Sequence, residues 1–242
     1  KRRLDPIFTG VNMRIWDINP GYLNRQSLMG EHRELHGIFA ITTQRKKGYA
    51  RHPETLRWSG FGWALKQRHR LLAAEMALRG YTDRSPVLTR SRKDQWPAVY
   101  IDASHRQFQL LAVKYKDKEP GRIPLPDSPQ ALWRQHKYSV LARNLDLYTS
   151  IGRQVARTKP SADISNLADQ LTELLRVRPS VGGSRNALQH MWGHVNTAAD
   201  KGCNVESWSP LKLLQAIQQR TQEGKASYLF QSTALSELRA WT

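Results

Sequence analysis

Residues 30–39 read GEHRELHGIF, with two His, two Glu and one Arg set among apolar positions. Leu28, Leu35 and Phe39, with His32 between them, recur at spacings of three and four. That is one stripe of an α-helix, expected from about Tyr22 to Ile41. Ser27, Glu31, Glu34 and Ile38 fall on a neighbouring face, so Glu34 lies off the main apolar stripe. Upstream, MRIWDINPG (13–21) reads as a short extended segment that ends in a turn at Pro20-Gly21. Downstream, TTQRKKGYARHPETLRWSG (42–60) reads as a basic loop punctuated by Gly and Pro.

The same reading continues along the chain. Leu65, Leu71, Leu72, Met76 and Leu78 give a second helix over 63–79 its buried side, and Gly80 suits the residue after its end. A third helix is expected over 104–115. The stretch KDKEPGRIPLPDSPQ (116–130) has four Pro and cannot be helix interior, so it reads as a linker. Further helices are expected over 130–144, 146–158, 163–176, 184–199 and 210–222. No period-two strand and no internal repeat is visible. The fold class is therefore all-α, with two small helical domains joined by a Pro-rich linker: an N-terminal extension 1–12, a domain 13–118, the linker 119–130 and a domain 131–242.

Composition narrows the function. The net charge is +18 in 242 residues. Between Met13 and Arg122 there are 21 Lys/Arg against 10 Asp/Glu; from Ile123 onward there are 14 against 9. A field of this sign favours a polyanion. Basic and aromatic residues interleave at Arg57, Trp58, Trp63, Lys66, Arg68 and Arg70, a pattern that suits nucleic acid. No run of apolar residues is long enough to span a bilayer, and no segment pairs a basic face with a wide apolar one, so no membrane partner is expected. The first twelve residues lack the apolar core of a signal peptide. The single Cys, Cys203, allows no internal disulfide and fits a reducing cytosol, hence a cytoplasmic location, nucleoid-associated if the source is bacterial.

The chemistry-bearing motifs are few. His32/His36 and His190/His194 are both spaced i, i+4, but neither matches H-E-x-x-H, no cysteine supports them and no third ligand is evident. No metal and no cofactor is assigned on this evidence. There is no phosphate loop, no G-x-S-x-G elbow and no Cys–His nucleophile. The glycines of VGGSRN (181–186) mark an interhelix break, with Ser184 the candidate cap of a following helix. Glu34 remains: Arg33 adjoins it and Glu31 is one turn away, so its proton affinity is open to tuning in either direction.

The stretch LNRQSLMGEHRELHGIF (23–39), continued by HPETLRW (52–58) and LKQRHRLLAAEMALRGY (65–81), resembles the phage-type pyrimidine-dimer DNA glycosylase/AP lyases of the endonuclease V class. The register runs without a gap back to MRI at 13–15. LWRQHKYSVLARNLDLYTSIGRQVA (132–156) and NALQHMWGHV (186–195) resemble the YbgA-type domain, which has no agreed activity; the protein partner of this half is unknown. The first resemblance implies a DNA repair enzyme acting on double-stranded DNA with damaged bases.

In that family the nucleophile is the α-amino group of the mature N-terminal residue, a position that falls on Met13. The essential Glu falls on Glu34. The Arg beside the nucleophile falls on Arg14, the Arg before the Glu on Arg33, and a DNA-facing Gln on Gln26. An α-amine has a pKa of roughly 7.7–8.0, so part of it is neutral at pH 7 and able to attack the sugar C1′. Charge adds Arg45, Lys46, Lys47, Arg51, Arg57, Lys66, Arg68 and Arg70 as further phosphate contacts.

Three departures accompany the resemblance. Twelve residues precede Met13, and with them in place its nitrogen is an amide; the expectation is a start at Met13. A family His is Ser27 here, and a family Arg is Gly37. Two other readings stand beside the enzyme: a non-catalytic, basic, damage-sensing module, and a metal-dependent nuclease built on His32, Glu34 and His36.

Overall fold

The absence of any period-two pattern is matched by the computed structural model, which describes residues 13–44, 48–197, 200, 204–224 and 226–241. Among the described residues there is no strand, and the fold is all-α. The helices are α1 (Arg25–Gln44), α2 (Pro53–Trp58), α3 (Gly62–Leu78), α4 (Ser104–Lys114), α5 (Pro129–Leu141), α6 (Leu145–Arg157), α7 (Ser165–Arg176), α8 (Val181–Trp192) and α9 (Pro210–Gln222). Two short turns of helix, α10 (Ser227–Phe230) and α11 (Ala234–Glu237), close the chain.

Two expectations are corrected. The loop 42–60 contains α2, which Pro53 opens at its first turn and His52 caps by accepting the Glu54 N–H on Nδ1. The helix assigned to start at Ser184 starts at Val181, capped by Ser180, whose Oγ accepts the Gly183 N–H. Its glycines lie inside the first turn, and Gly183 is where the end of α5 passes close by: a Cβ there would sit 2.2 Å from the Ala142 carbonyl oxygen. Gly183→Ala is therefore expected to cost about 1–3 kcal/mol through overpacking against backbone, readable as a lower urea midpoint. Gly80 does end α3, at φ +81°.

The seam that α1 buries is displaced from the stripe read in the sequence. Ser27, Leu28, Glu31, Leu35 and Ile38 are buried, whereas His32 and Phe39 are only partly so. A charged residue can occupy this seam because Arg68 on α3 meets Glu31 through two hydrogen bonds of 2.7 and 2.9 Å.

One apolar cluster gathers the segment before α1, with Ile15, Ile18, Tyr22 and Leu23, together with Leu28, Leu35, Trp58, Leu65, Leu72 and Leu111. It also takes in Leu132, Ile151 and Leu171 from the helices beyond residue 130. A second cluster joins Tyr138 and Leu141 to α8, α9 and the closing helices.

The Pro-rich stretch is tied down between the two. Ile123 is fully buried and donates its N–H to the Gly21 carbonyl at 2.9 Å. Arg122 meets Glu75 of α3 at 2.8 Å through two nitrogens. Glu75 also receives Arg79 at 2.7 Å, and Arg79 donates onward to the Leu23 carbonyl. Arg143 and Glu237 make a comparable bidentate pair at 2.9 and 3.0 Å. Asp17, Glu31, Glu54, Glu75 and Glu237 are all spent on such internal pairs with arginines.

Candidate active site

The segment 13–18 has no strand partner, yet its backbone polar groups are buried and must be satisfied. Side chains from three helices do this. Arg14 donates its backbone N–H to Glu34 Oε2 of α1 at 2.6 Å. The Ile15 N–H goes to Glu54 Oε1 of α2 at 3.2 Å, and the Asp17 N–H to Gln107 Oε1 of α4 at 2.8 Å. The Glu34 carboxylate therefore lies against the peptide that joins Met13 to Arg14. Met13 is buried, and its Sδ accepts Thr55 Oγ1 at 3.7 Å.

An open cavity of about 590 Å³ adjoins this segment, lined by Met13, Arg14, Trp16, His52, Ile101 and Lys114 among others. Arg14 stacks on the Trp16 ring at 4.6 Å and reaches Asp102 through Nη1; its Nε is buried and makes no hydrogen bond. The Lys114 ammonium lies 6.0 Å from the centre of the same ring.

Partial burial pushes the Glu34 carboxyl up, opposed by the Arg14 N–H and by the charges of Lys114 and Arg33. Burial likewise pulls Lys114 down, with Glu34 opposing. The carboxylate and the amine thus each favour the other's charged form, while the site's desolvation brings both closer to neutrality. A carboxyl in this state is suited to accept and return a proton.

Glu54 is also pushed up by burial and held back by Arg57. It belongs to the frame beneath the site: Arg57 Nε and Trp58 Nε1 both donate to its Oε2. Glu31, fully buried against one guanidinium, is pushed up to about 7; desolvation outweighs the pull of Arg68.

The DNA-contact candidates read from the resemblance and from charge divide into three sets. Arg33, Arg51 and Arg70 are exposed, as is Gln26; Lys66 is half-buried. Arg45, Lys46 and Lys47 lie outside the described residues. Arg57 and Arg68 are turned into the core: Arg57 binds Asp17, Glu54 and the Ile15 carbonyl, and Arg68 binds Glu31 and the Ile18 carbonyl. They neutralise buried carboxylates and offer no surface for a phosphate. Each was read as a surface cation because its carboxylate partners were not visible as such in the sequence. Trp58 is buried and Trp63 packs edge-on against Trp96, both against the core, while Trp16 is buried but lines the cavity.

Residues 13–89 match the pyrimidine dimer DNA glycosylase family. The match begins at Met13 and takes in the whole of α1 to α3, and so both carboxylates that hold the N-terminal segment. Residues 137–215 match a family described as protein of unknown function (DUF1722). No curated protein and no solved structure matches the chain.

Within the glycosylase-like region, sequence reading passed over Glu54, although it stands in the quoted HPETLRW with Arg57 three residues on. Asp102, Gln107 and Lys114 lie beyond residue 89, on the segment before α4 and on α4 itself, and nothing local distinguishes Lys114 from other helix-end lysines. The nuclease reading grouped His32, Glu34 and His36, but the folded helix separates them. The two His face α3, and Glu34 faces the N-terminal segment.

Proposed function

We propose that this protein is a DNA glycosylase with AP-lyase activity on ultraviolet-induced pyrimidine dimers, using the α-amine of Met13 as nucleophile and Glu34 as its essential carboxylate. One observation carries the reading: Glu34 Oε2 is 2.6 Å from the Arg14 backbone nitrogen, one residue from the amine in question, and Met13 and Arg14 line an open cavity. The family match over residues 13–89 supports the substrate class.

The mechanism needs Met13 to begin the functional chain. A neutral α-amine attacks the sugar C1′, the damaged base leaves with the bonding electron pair, and loss of a proton from nitrogen with ring opening gives an imine. The imine acidifies the C2′ proton, whose removal expels the 3′-phosphate and cuts the strand. Glu34 stabilises the cationic sugar and iminium and shuttles these protons. Lys114 adds positive charge at the cavity, and Arg33, Arg51 and Gln26 are exposed for backbone contacts. Reaching a dimer requires unstacking, which is cheapest where stacking is already damaged.

Borohydride trapping on a duplex with one cyclobutane pyrimidine dimer tests the proposal. A chain beginning at Met13 is expected to form a covalent adduct, and the chain with residues 1–12 is not. Adducts from both would move the nucleophile to a lysine, with Lys114 the first to replace. Salt-sensitive binding with no adduct from either would favour the non-catalytic, damage-sensing module.

A further inference from the structure

On the side of α1 away from Glu34, four metal-ligating side chains converge. His32 and His36 come from successive turns of α1, His69 from α3, and Asp83 from the stretch after it. One donor atom from each lies within 4.8 Å of all the others. His32 Nε2 is 3.2 Å from Asp83 Oδ1, and His69 Nε2 is 3.4 Å from Asp83 Oδ2. The three imidazole rings stand 4.7, 5.2 and 5.0 Å apart, centre to centre.

We propose that His32, His36, His69 and Asp83 bind one divalent metal ion of the zinc type, as a structural clamp outside the catalytic chemistry. The first argument is the donor set. Three neutral imidazoles and one carboxylate are the ligands zinc takes, and four protein ligands make a closed, tetrahedral site. Bonds of about 2.0–2.1 Å in that geometry separate donors by roughly 3.3 Å. The His32–Oδ1 and His69–Oδ2 separations, one to each oxygen of Asp83, are already near this value, and the wider pairs close by small rotations of the side chains.

The second argument is an unpaid desolvation cost. Nε2 of His36 is buried and makes no hydrogen bond, and Nε2 of His69 is buried with the Asp83 carboxylate at 3.4 Å but no hydrogen bond. Buried polar atoms are normally satisfied, and two buried imidazole nitrogens without hydrogen bonds, within 4.8 Å of each other and of a carboxylate, are explained by a shared ion. The third is access. Asp83 and His69 also border an open cavity of about 710 Å³, which gives an ion a path in.

The clamp would join α1 to α3 and to residue 83 beyond it. It holds the helix that carries Glu34 without touching the reacting atoms, so the proposal stands or falls independently of the glycosylase reading. His32 and His36 each lie two residues from Glu34, about 200° around the helix.

The test uses the tag-free full chain, stripped with chelator and titrated with Co²⁺ alone. One equivalent is expected to produce the intense visible bands of four-coordinate cobalt, and one equivalent of Zn²⁺ to abolish them. Zinc at about a hundred times its Kd is expected to raise Tm by roughly 5–10 °C. His36→Gln should lose the bands and the Tm shift, yet melt within a few degrees of the metal-free parent. No cobalt band, only the weak bands of six-coordinate cobalt, or full bands retained in His36→Gln would each overturn the proposal. If His36→Gln fails to fold, Asp83→Asn, at a loop position, provides the same comparison.

Discussion

Replacing Glu34 by Gln in the chain that begins at Met13 is expected to slow cleavage of a dimer-containing duplex by about 10²–10⁴-fold. Gln keeps an oxygen that can accept the Arg14 N–H, so the segment 13–18 stays in place. The negative charge is what disappears, and with it the stabilisation of the cationic sugar and the proton acceptor. Glu34 is only half-buried, so Tm should move by less than about 2 °C. Single-turnover cleavage and a melting curve on the same preparation separate the two effects. A variant that cuts as fast as its parent would remove Glu34 from the mechanism. A large fall in Tm would recast it as a structural residue.

Glu75→Gln should have the largest effect on stability. The Glu75 carboxylate is fully buried between Arg122 and Arg79, and the variant leaves two guanidiniums without their counter-charge. Removing one partner of a buried ion pair costs about 3–5 kcal/mol, which for a chain of this size is a drop in Tm of roughly 6–20 °C.

The pH dependence follows. Burial alone would raise this carboxyl, but Arg122 and Arg79 more than reverse it, from an ordinary 4.5 to about 2. A depressed folded-state pKa contributes stability that is complete above the unfolded value. That contribution is lost as pH falls from about 4.5 toward 2. The parent's Tm should therefore fall through this window more steeply than that of Glu75→Gln. Parallel slopes would show that Glu75 is not the group responsible. The contrast with Glu31 lies in the neighbours: Glu31 has one guanidinium with the carboxylates of Asp17 and Glu34 nearby, whereas Glu75 has two guanidiniums and the Ser236 hydroxyl.

These comparisons also mark what could be read from the chain alone. The helices were legible because the periodicity that specifies them is local, and α1, α3 and α4 fall within a few residues of their expected bounds. The first turn of α8 was misread because Gly183 answers to the Ala142 carbonyl, a neighbour 41 positions away. Glu34 and Arg14 could be singled out as candidates because one ungapped register runs from residue 13 through the helix. What brings them together is only the path of the segment 13–18, stitched by Glu34, Glu54 and Gln107 from three separate helices.

Charge was the least legible property. Its sum is a fact of composition, but whether an Arg faces DNA or the core depends on where its carboxylate lies. Arg57 finds Asp17 from 40 residues away, and Arg68 finds Glu31 from 37. The histidines follow the same rule. The i, i+4 spacing of His32 and His36 put two imidazoles on one face of α1, and local sequence could go no further. His69 and Asp83 complete the set because α3 packs on α1 and the chain turns back beside them. The sequence by itself determined most of the helical segments and the net charge, and it singled out candidates for the chemistry. The tertiary structure decided which charges are spent inside and which side chains meet, because burial and long-range pairing exist only once the helices have packed.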